Sequence, residues 1–249
     1  YTYTVQPDRA QHPIENVTYW DATRFANWLH NGQPIGAQDN TTTEDGAYTL
    51  TAEGMSENTV TRNPGWRWAI PSADEWYKAA YHRPRENGGA IGDYWLYPAF
   101  YDNIPAANFG NIFGDTAPVG SYIHNFTFRG LHDLAGNVAE WTEETAEGSD
   151  QIYGVIRGGH HGSVLSALRS DNFGANGREN QVGRIGIRVC RFPACPADRN
   201  DNLVVDVPDI FVFLASWFAQ DFPDCDFNHD DRVDVADIFA FLSAWFAGC

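Results

Sequence analysis

Apolar residues near the end of this chain recur twice with helical spacing: Ile210, Phe213, Leu214 and Trp217, then Ile238, Phe241, Leu242 and Trp245. Positions i, i+3, i+4 and i+7 share one face of a helix, so each set predicts an amphipathic helix, and two such faces can pack into a small core. The earlier chain is less regular. Val17–Leu29 reads as a strand end entering a helix, with Ala22, Phe25, Ala26 and Leu29 on one face and Asn31-Gly32 as the stop. Ser72 followed by Glu75 predicts a capping box that starts a second helix. From residue 83 to 135, the density of Gly, Asn, Pro and aromatic residues predicts short strands and long loops. The segment Gly130–Thr142 is dense in turn formers and carboxylates. Tyr153–Gly159 and Ile185–Val189 read as two core strands.

Each C-terminal helix follows a loop with oxygen-bearing side chains at positions 1, 3, 5, 9 and 12, and the second loop begins 28 residues after the first. A hard cation needs several oxygens at once, and a tight loop supplies them from alternate residues. The first set is Asp198, Asn200, Asn202, the Val204 carbonyl, Asp206 and Asp209; the second is Asp226, Asn228, Asp230, the Arg232 carbonyl, Asp234 and Asp237. Position 6, where Gly usually supplies a positive φ, holds Leu203 and Asp231. Asp tolerates that conformation and Leu does not, so the first loop is expected to be the weaker or more strained. Position 12 is Asp instead of the bidentate Glu of an EF-hand, and no helical pattern precedes either loop.

Paired loops of this kind, each with a following helix, resemble a type I dockerin over residues 193–249. The resemblance implies a small all-α domain of two calcium loop–helix repeats, holding two calcium ions and docking a cohesin-like or cell-surface protein. A surface-sorting tail or a purely structural acidic cap are the alternatives. The segment carries eleven Asp against two Arg, about half of the chain's net charge of −17. Bound cations would relieve that crowding.

At 249 residues the chain is long enough for two domains, and its aromatic share of 14% supports a real core. The acidic balance argues against nucleic-acid binding, which needs Lys and Arg against phosphates. No apolar run reaches membrane-spanning length, and no signal peptide is visible, although Tyr1 is not a start Met and the chain reads as clipped. The four cysteines, Cys190, Cys195, Cys225 and Cys249, all lie late in the chain without CxxC spacing. Two disulfides in an oxidising, secreted or cell-surface setting are expected. Three connectivities are open. Cys195–Cys249 is favoured because it clasps the ends of the calcium module, leaving Cys190–Cys225; free thiols are the alternative.

Residues 12–190 resemble the formylglycine-generating enzyme, or sulfatase-modifying factor, family. The residues that carry this are Asn16–Leu29, Ile70–Ala80, Gly130–Thr142, Arg157-Gly158-Gly159 and Gly186–Val189, in the family's order. The family's opening strand and helix are not recognisable before His12, so an N-terminally truncated or shortened first domain, 1–192, is expected. The implied fold is α+β, an irregular C-type-lectin-like domain with little regular structure. The resemblance implies one calcium site at Asp133, the Gly136 and Val138 carbonyls and Glu140. It implies a second at Asn108 and Asn111 with the Phe109 and Phe113 carbonyls.

The family's oxidase converts a substrate cysteine to formylglycine with copper held by two cysteines just beyond the Arg-Gly-Gly motif. Here His160–Ser170 contains no cysteine, and hydroxyls do not replace the thiolates that select Cu(I). His160 and His161 read as neighbours on a strand, pointing to opposite faces; with Ser163 they are expected to line a polar groove. A redox metal there would need further ligands such as His124 or His132. The reading is an extracellular calcium-binding protein whose non-catalytic first domain binds protein or glycan, with aromatics of Tyr94–Tyr101 as candidate contacts. The alternative is a metal-dependent oxidoreductase of the same family using residues other than cysteine.

Overall fold

The computed structural model describes residues 8–84, 93–99, 101–149, 151–191, 195–200, 205–222 and 224–248. The chain forms two compact units: Tyr1–Asn63 with Trp68–Cys190, and Pro64–Arg67 with Arg191–Cys249. Among the described residues, no helix is long and apolar enough to cross a membrane.

The first unit is mixed α/β. Helix α1 (Tyr19–His30) starts at Thr18, whose hydroxyl accepts from the Asp21 N–H while the Asp21 carboxylate accepts from the Thr18 N–H. It ends at Asn31, followed by Gly32 at φ +80°. Its buried face is Tyr19, Trp20, Ala22, Thr23, Ala26 and Asn27. Phe25, expected inside, is exposed and stacks on Trp28 at 5.8 Å. Asn27 takes an inner position because its amide bonds the Thr43 and Tyr48 carbonyls and the Tyr48 N–H, pinning the following loop.

After the short helix α2 (Ala52–Ser56) and strand β1 (Trp68–Ala69), the expected capping box starts α3 (Ala73–Tyr81). Glu75 accepts from the Ser72 N–H at 2.7 Å and also holds both terminal nitrogens of Arg62. The Arg62 Nε donates to Glu143 at 2.7 Å.

The main sheet runs in the order β4 (Gly174–Asn176), β3 (Ile152–Arg157), β2 (Ala139–Glu147), β5 (Ile185–Gly186). β2 and β3 are antiparallel with an irregularity between Trp141 and Thr145, and β5 runs parallel to β2. β2 has no apolar alternation, and its polar residues are held individually: Thr142 donates to the Val155 carbonyl, and Glu143 is bound by Arg62 and Tyr48. The second expected strand shrinks to Ile185–Gly186, and Cys190–Arg191 forms a separate strand, β6, paired with β1. Between 83 and 135 the described residues carry only isolated bridges, such as His82–Tyr94 and Phe126–His132.

Trp141 packs edge-on to Tyr19 at 6.0 Å, and the buried Arg178 guanidinium lies 4.0 Å from the Tyr19 ring centroid. Two further clusters join Trp76, Ala80, Tyr81 and Leu134, and Tyr97, Ala107, Ala135 and Leu168. Tyr97, a candidate contact residue, therefore belongs to the core.

In the second unit, α4 (Val207–Ala219) and α5 (Val235–Ala247) bring the two expected stripes together around Phe213 and Phe241, whose rings stack at 4.3 Å and 11°. Cys195 is disulfide-bonded; Cys249, expected as its partner, lies outside the described residues. The expected Cys190–Cys225 bond is not formed. Both are free thiols, Cys190 with its sulfur 3.4 Å from the Ala69 carbonyl and Cys225 buried within the second unit.

Burial raises the Glu75 carboxyl, but the Arg62 and Ser72 hydrogen bonds outweigh it and hold the group below its ordinary 4.5. A carboxylate depressed on folding adds stability above its unfolded pKa and loses it as pH falls through the folded value. The melting-temperature difference between wild type and Arg62→Gln is therefore expected to be constant from pH 7 to about 5 and to shrink below about 4.5. Thermal melts across that range check it.

Candidate functional site

Glu140, the second residue of β2, is almost fully buried and lines a cleft of about 700 Å³ with Ile14, Val119, Ile123, Asp133 and Arg188. Its Oε2 accepts from the Trp76 indole at 2.6 Å and from Arg188 Nε at 2.8 Å; its Oε1 accepts from Arg188 Nη2 at 2.8 Å. The same Nη2 donates to the His132 carbonyl at 3.1 Å. Burial lowers the Arg188 pKa, but Glu140 and then Asp133 outweigh it, so the guanidinium is held above its ordinary value. Asp133, at φ +59°, accepts from the Gly120 N–H at 2.7 Å.

The structure thus brings Asp133, Val138 and Glu140 to one cleft. Both Glu140 oxygens are already occupied by the guanidinium and the indole, and this arrangement does not fit a calcium ion on the two carboxylates. Arg188 was not singled out by the sequence reading. The available signal was a lone cation in the apolar run Ile185–Cys190, which needs a buried acid as partner.

The second expected set lies in a polar knot. Gly136, at φ +69°, bridges to Asn108 so closely that a Cβ there would overlap the Asn108 carbonyl. Asn137 donates its N–H to that carbonyl at 2.8 Å, and its side chain pairs with both backbone groups of Ala117. Asn108 is buried. Its Nδ2 donates to the Asp115 carbonyl and to Asn137 Oδ1, while its Oδ1 has no partner. Asn111 donates its N–H to the His161 carbonyl at 2.7 Å, and His161 donates its own to the Asn137 carbonyl. A buried amide oxygen without a partner fits a hard cation or an ordered water.

His160 and His161 lie in a turn beyond β3, after Gly158 and Gly159 at φ +84° and +68°, and not on a strand as expected. The Ser163 hydroxyl accepts from the His160 N–H at 3.0 Å, and His160 Nδ1 accepts from the Gly162 N–H at 3.0 Å. Burial, then the charge of Arg184, then His161 lower the His160 pKa. Among the described residues, no three His, Cys, Asp or Glu side chains converge as a metal site would require. His124 and His132 are therefore not gathered with this pair into such a set.

In the second unit, Asp209 and Asp237 are fully buried and do equivalent work. Asp209 accepts from the Asn200 and Asp206 N–H groups at 3.0 and 2.8 Å; Asp237 accepts from those of Asn228 and Asp234 at 3.2 and 2.9 Å. Asp226 accepts from the Asp230 and Asp231 N–H groups, with Asp231 at φ +62°. Asn202, Leu203 and Val204 lie outside the described residues.

A family model described as a sulfatase-modifying factor enzyme 1-like domain matches residues 2–192. The chain belongs to this family. Among solved structures, the sulfatase-modifying-factor-like chain is similar to CarF, with a TM-score of 0.54 and 25% identity over 75% of this chain and 69% of that one. It also aligns with Treponema denticola variable protein 1 (TM-score 0.48, 17% identity, 77% and 75% covered). A third alignment is with PvdO from Pseudomonas aeruginosa (TM-score 0.46, 22% identity, 76% and 64% covered). No curated protein matches it. The match begins at residue 2, ten residues before the expected His12.

The residues of this sulfatase-modifying-factor domain do not fit the copper of the oxidase. No cysteine stands between His160 and Ser170. Burial, then the charge of Glu75, pushes the Cys190 thiol up to about 12, so it is protonated at neutral pH. A protonated thiol is a poor metal ligand.

Glu140→Gln leaves the Arg188 charge without its partner in a mostly buried site and is expected to cost about 2–3 kcal/mol. Glu140→Gln combined with Arg188→Met is expected to recover most of that loss. Chemical denaturation of the single and double variants measures both.

Proposed function

We propose that this is a non-catalytic member of the sulfatase-modifying-factor family that binds a protein or glycan ligand and is attached to a partner through a dockerin-like, calcium-ordered C-terminal module. The observation that carries the reading is the equivalence of Asp209 and Asp237. Each is buried at the first turn of its helix and holds two backbone N–H groups of its own loop. A buried carboxylate at position 12 of a repeated loop is the group that a calcium ion would share. The internal exchange supports it: the Trp217 indole donates to the Asp234 carbonyl at 3.1 Å, and Trp245 donates to that of Asp206 at 3.0 Å.

The ions would be held by Asp198, Asn200, Asn202, Asp206 and Asp209, and by Asp226, Asn228, Asp230, Asp234 and Asp237, with the Val204 and Arg232 carbonyls. Calcium supplies charge neutralisation in an acidic segment, so its role is structural order and presentation of the helix pair. A further ion at Asn108 and Asn111 would satisfy the unpartnered Asn108 oxygen. The Cys195 disulfide supports a secreted or cell-surface setting, and the partner is a cohesin-like or surface protein. The absence of cysteine from His160 to Ser170, where the oxidase carries its copper ligands, supports ligand binding over oxidation in the first domain.

Native mass spectrometry of the full chain tests the proposal. Retention of at least two calcium ions without copper or iron is expected, with Asp209→Asn and Asp237→Asn each losing one. Chelation is expected to lower the melting temperature, with calcium restoring it. Bound copper, or no retained calcium, would overturn the reading.

A further inference from the structure

Beside the turn after β3, the residue that precedes β5 brings a guanidinium with no ion pair among the described residues. Arg184 sits at φ +89°, a conformation that disfavours any residue with a Cβ, beside a glycine, Gly183, that could adopt it freely. Both of its backbone groups are engaged: its N–H donates to Glu15 Oε2 at 3.1 Å, and its carbonyl accepts from the Ala139 N–H at 2.8 Å. The backbone therefore holds the strain. The exposed side chain reaches over Gly162. A Cβ on residue 162 would stand 3.1 Å from Arg184 Nη1 and 3.3 Å from His160 Cε1, so guanidinium and imidazole lie side by side across a glycine.

His160 Nδ1 accepts from the Gly162 N–H, which puts the ring proton on Nε2 and leaves that N–H as a donor. The neighbouring acids are committed elsewhere. Glu15 and Asp115 both bind Arg9, at 2.9 and 2.5 Å, and Arg184 has no ion pair among the described residues. An unpaired, backbone-strained arginine is notable in a chain with 33 acidic residues against 16 Lys and Arg.

We propose that Arg184 and His160 form a carboxylate-binding site on the Gly158–Ser163 turn. A guanidinium presents a planar fork that matches a carboxylate, and the imidazole N–H adds a second donor direction. Glu15, whose Oε2 accepts from the Arg184 N–H, favours a monoanion over a phosphate dianion. The site rests on the reading of this turn as a ligand groove without oxidase chemistry. A peptide C-terminus and a small organic acid present the same group.

The test is an NMR titration of the full chain, following the Arg184 Nε–H and His160 Nε2–H signals at constant ionic strength against chloride. The probes are acetate, tetra-alanine with a free C-terminus, and its C-terminal amide. Saturable shifts with acetate and the free peptide but not the amide are expected. Tighter binding of the free peptide assigns a chain terminus, and equal binding assigns small acids. Arg184→Asn should weaken binding about tenfold or more while melting at a higher temperature, since Asn tolerates positive φ. The site is overturned by an absence of saturable shifts, by equal shifts with the amide, or by an Arg184→Asn variant that titrates like wild type. Metal content of the same sample reports separately on the non-catalytic reading, because bound copper would sink that reading without altering the titration.

Discussion

The first domain is organised around one buried charge. A carboxylate removed from water is costly unless its oxygens are bonded and its charge is matched. Glu140 meets both conditions by drawing Trp76 from α3 and Arg188 from beyond β5 onto the first residues of β2. Those bonds fix where the helix, the central strand and the end of the domain stand with respect to one another. The guanidinium also gathers the His132 carbonyl, so one side chain both neutralises the acid and binds a turn. That is the work a bound cation does in acidic turns, and it places the argument for a metal in this domain on Asn108, whose buried oxygen is left without a partner.

Regular elements were readable where periodicity and capping chemistry act locally. The Ser72–Glu75 box and the two C-terminal stripes depend on residues within two turns of each other, and the structure carries them as expected. α1 shows where that logic stops. Phe25 satisfies helical spacing yet lies outside, while Asn27 is buried because a loop fifteen or more residues later supplies its hydrogen-bond partners. β2 was unreadable for the same reason. Its Thr142 and Glu143 look solvated until Val155, Arg62 and Tyr48 arrive from distant segments.

The candidate site was legible as residue types but not as a geometry. Asp133 and Glu140 do reach one cleft, yet their spacing carries no information about the cation that joins them, which comes from Arg188. As adjacent residues after β3, His160 and His161 predict strand neighbours. The glycines before them, both at positive φ, turn the chain away from β3 and set the pair in a compact turn. Arg184 offers still less: its interest lies in its backbone conformation and in a guanidinium that forms no ion pair among the described residues, neither of which a sequence displays.

The second unit reverses the balance, since a repeat exposes its own design. Each tryptophan indole donates to a backbone carbonyl at position 9 of the opposite loop, and each position-12 aspartate fixes its own loop by two N–H groups. Helix packing and loop shape are thereby the same variable. Ordering either loop, by an ion or by hydrogen bonds alone, positions the carbonyl that the other repeat's tryptophan needs. The stacked Phe213 and Phe241 rings then transmit any misplacement across the helix pair. Such a module has little use for an independent half, which explains physically why the two loops keep the same spacing, the same terminal aspartate and the same buried phenylalanine.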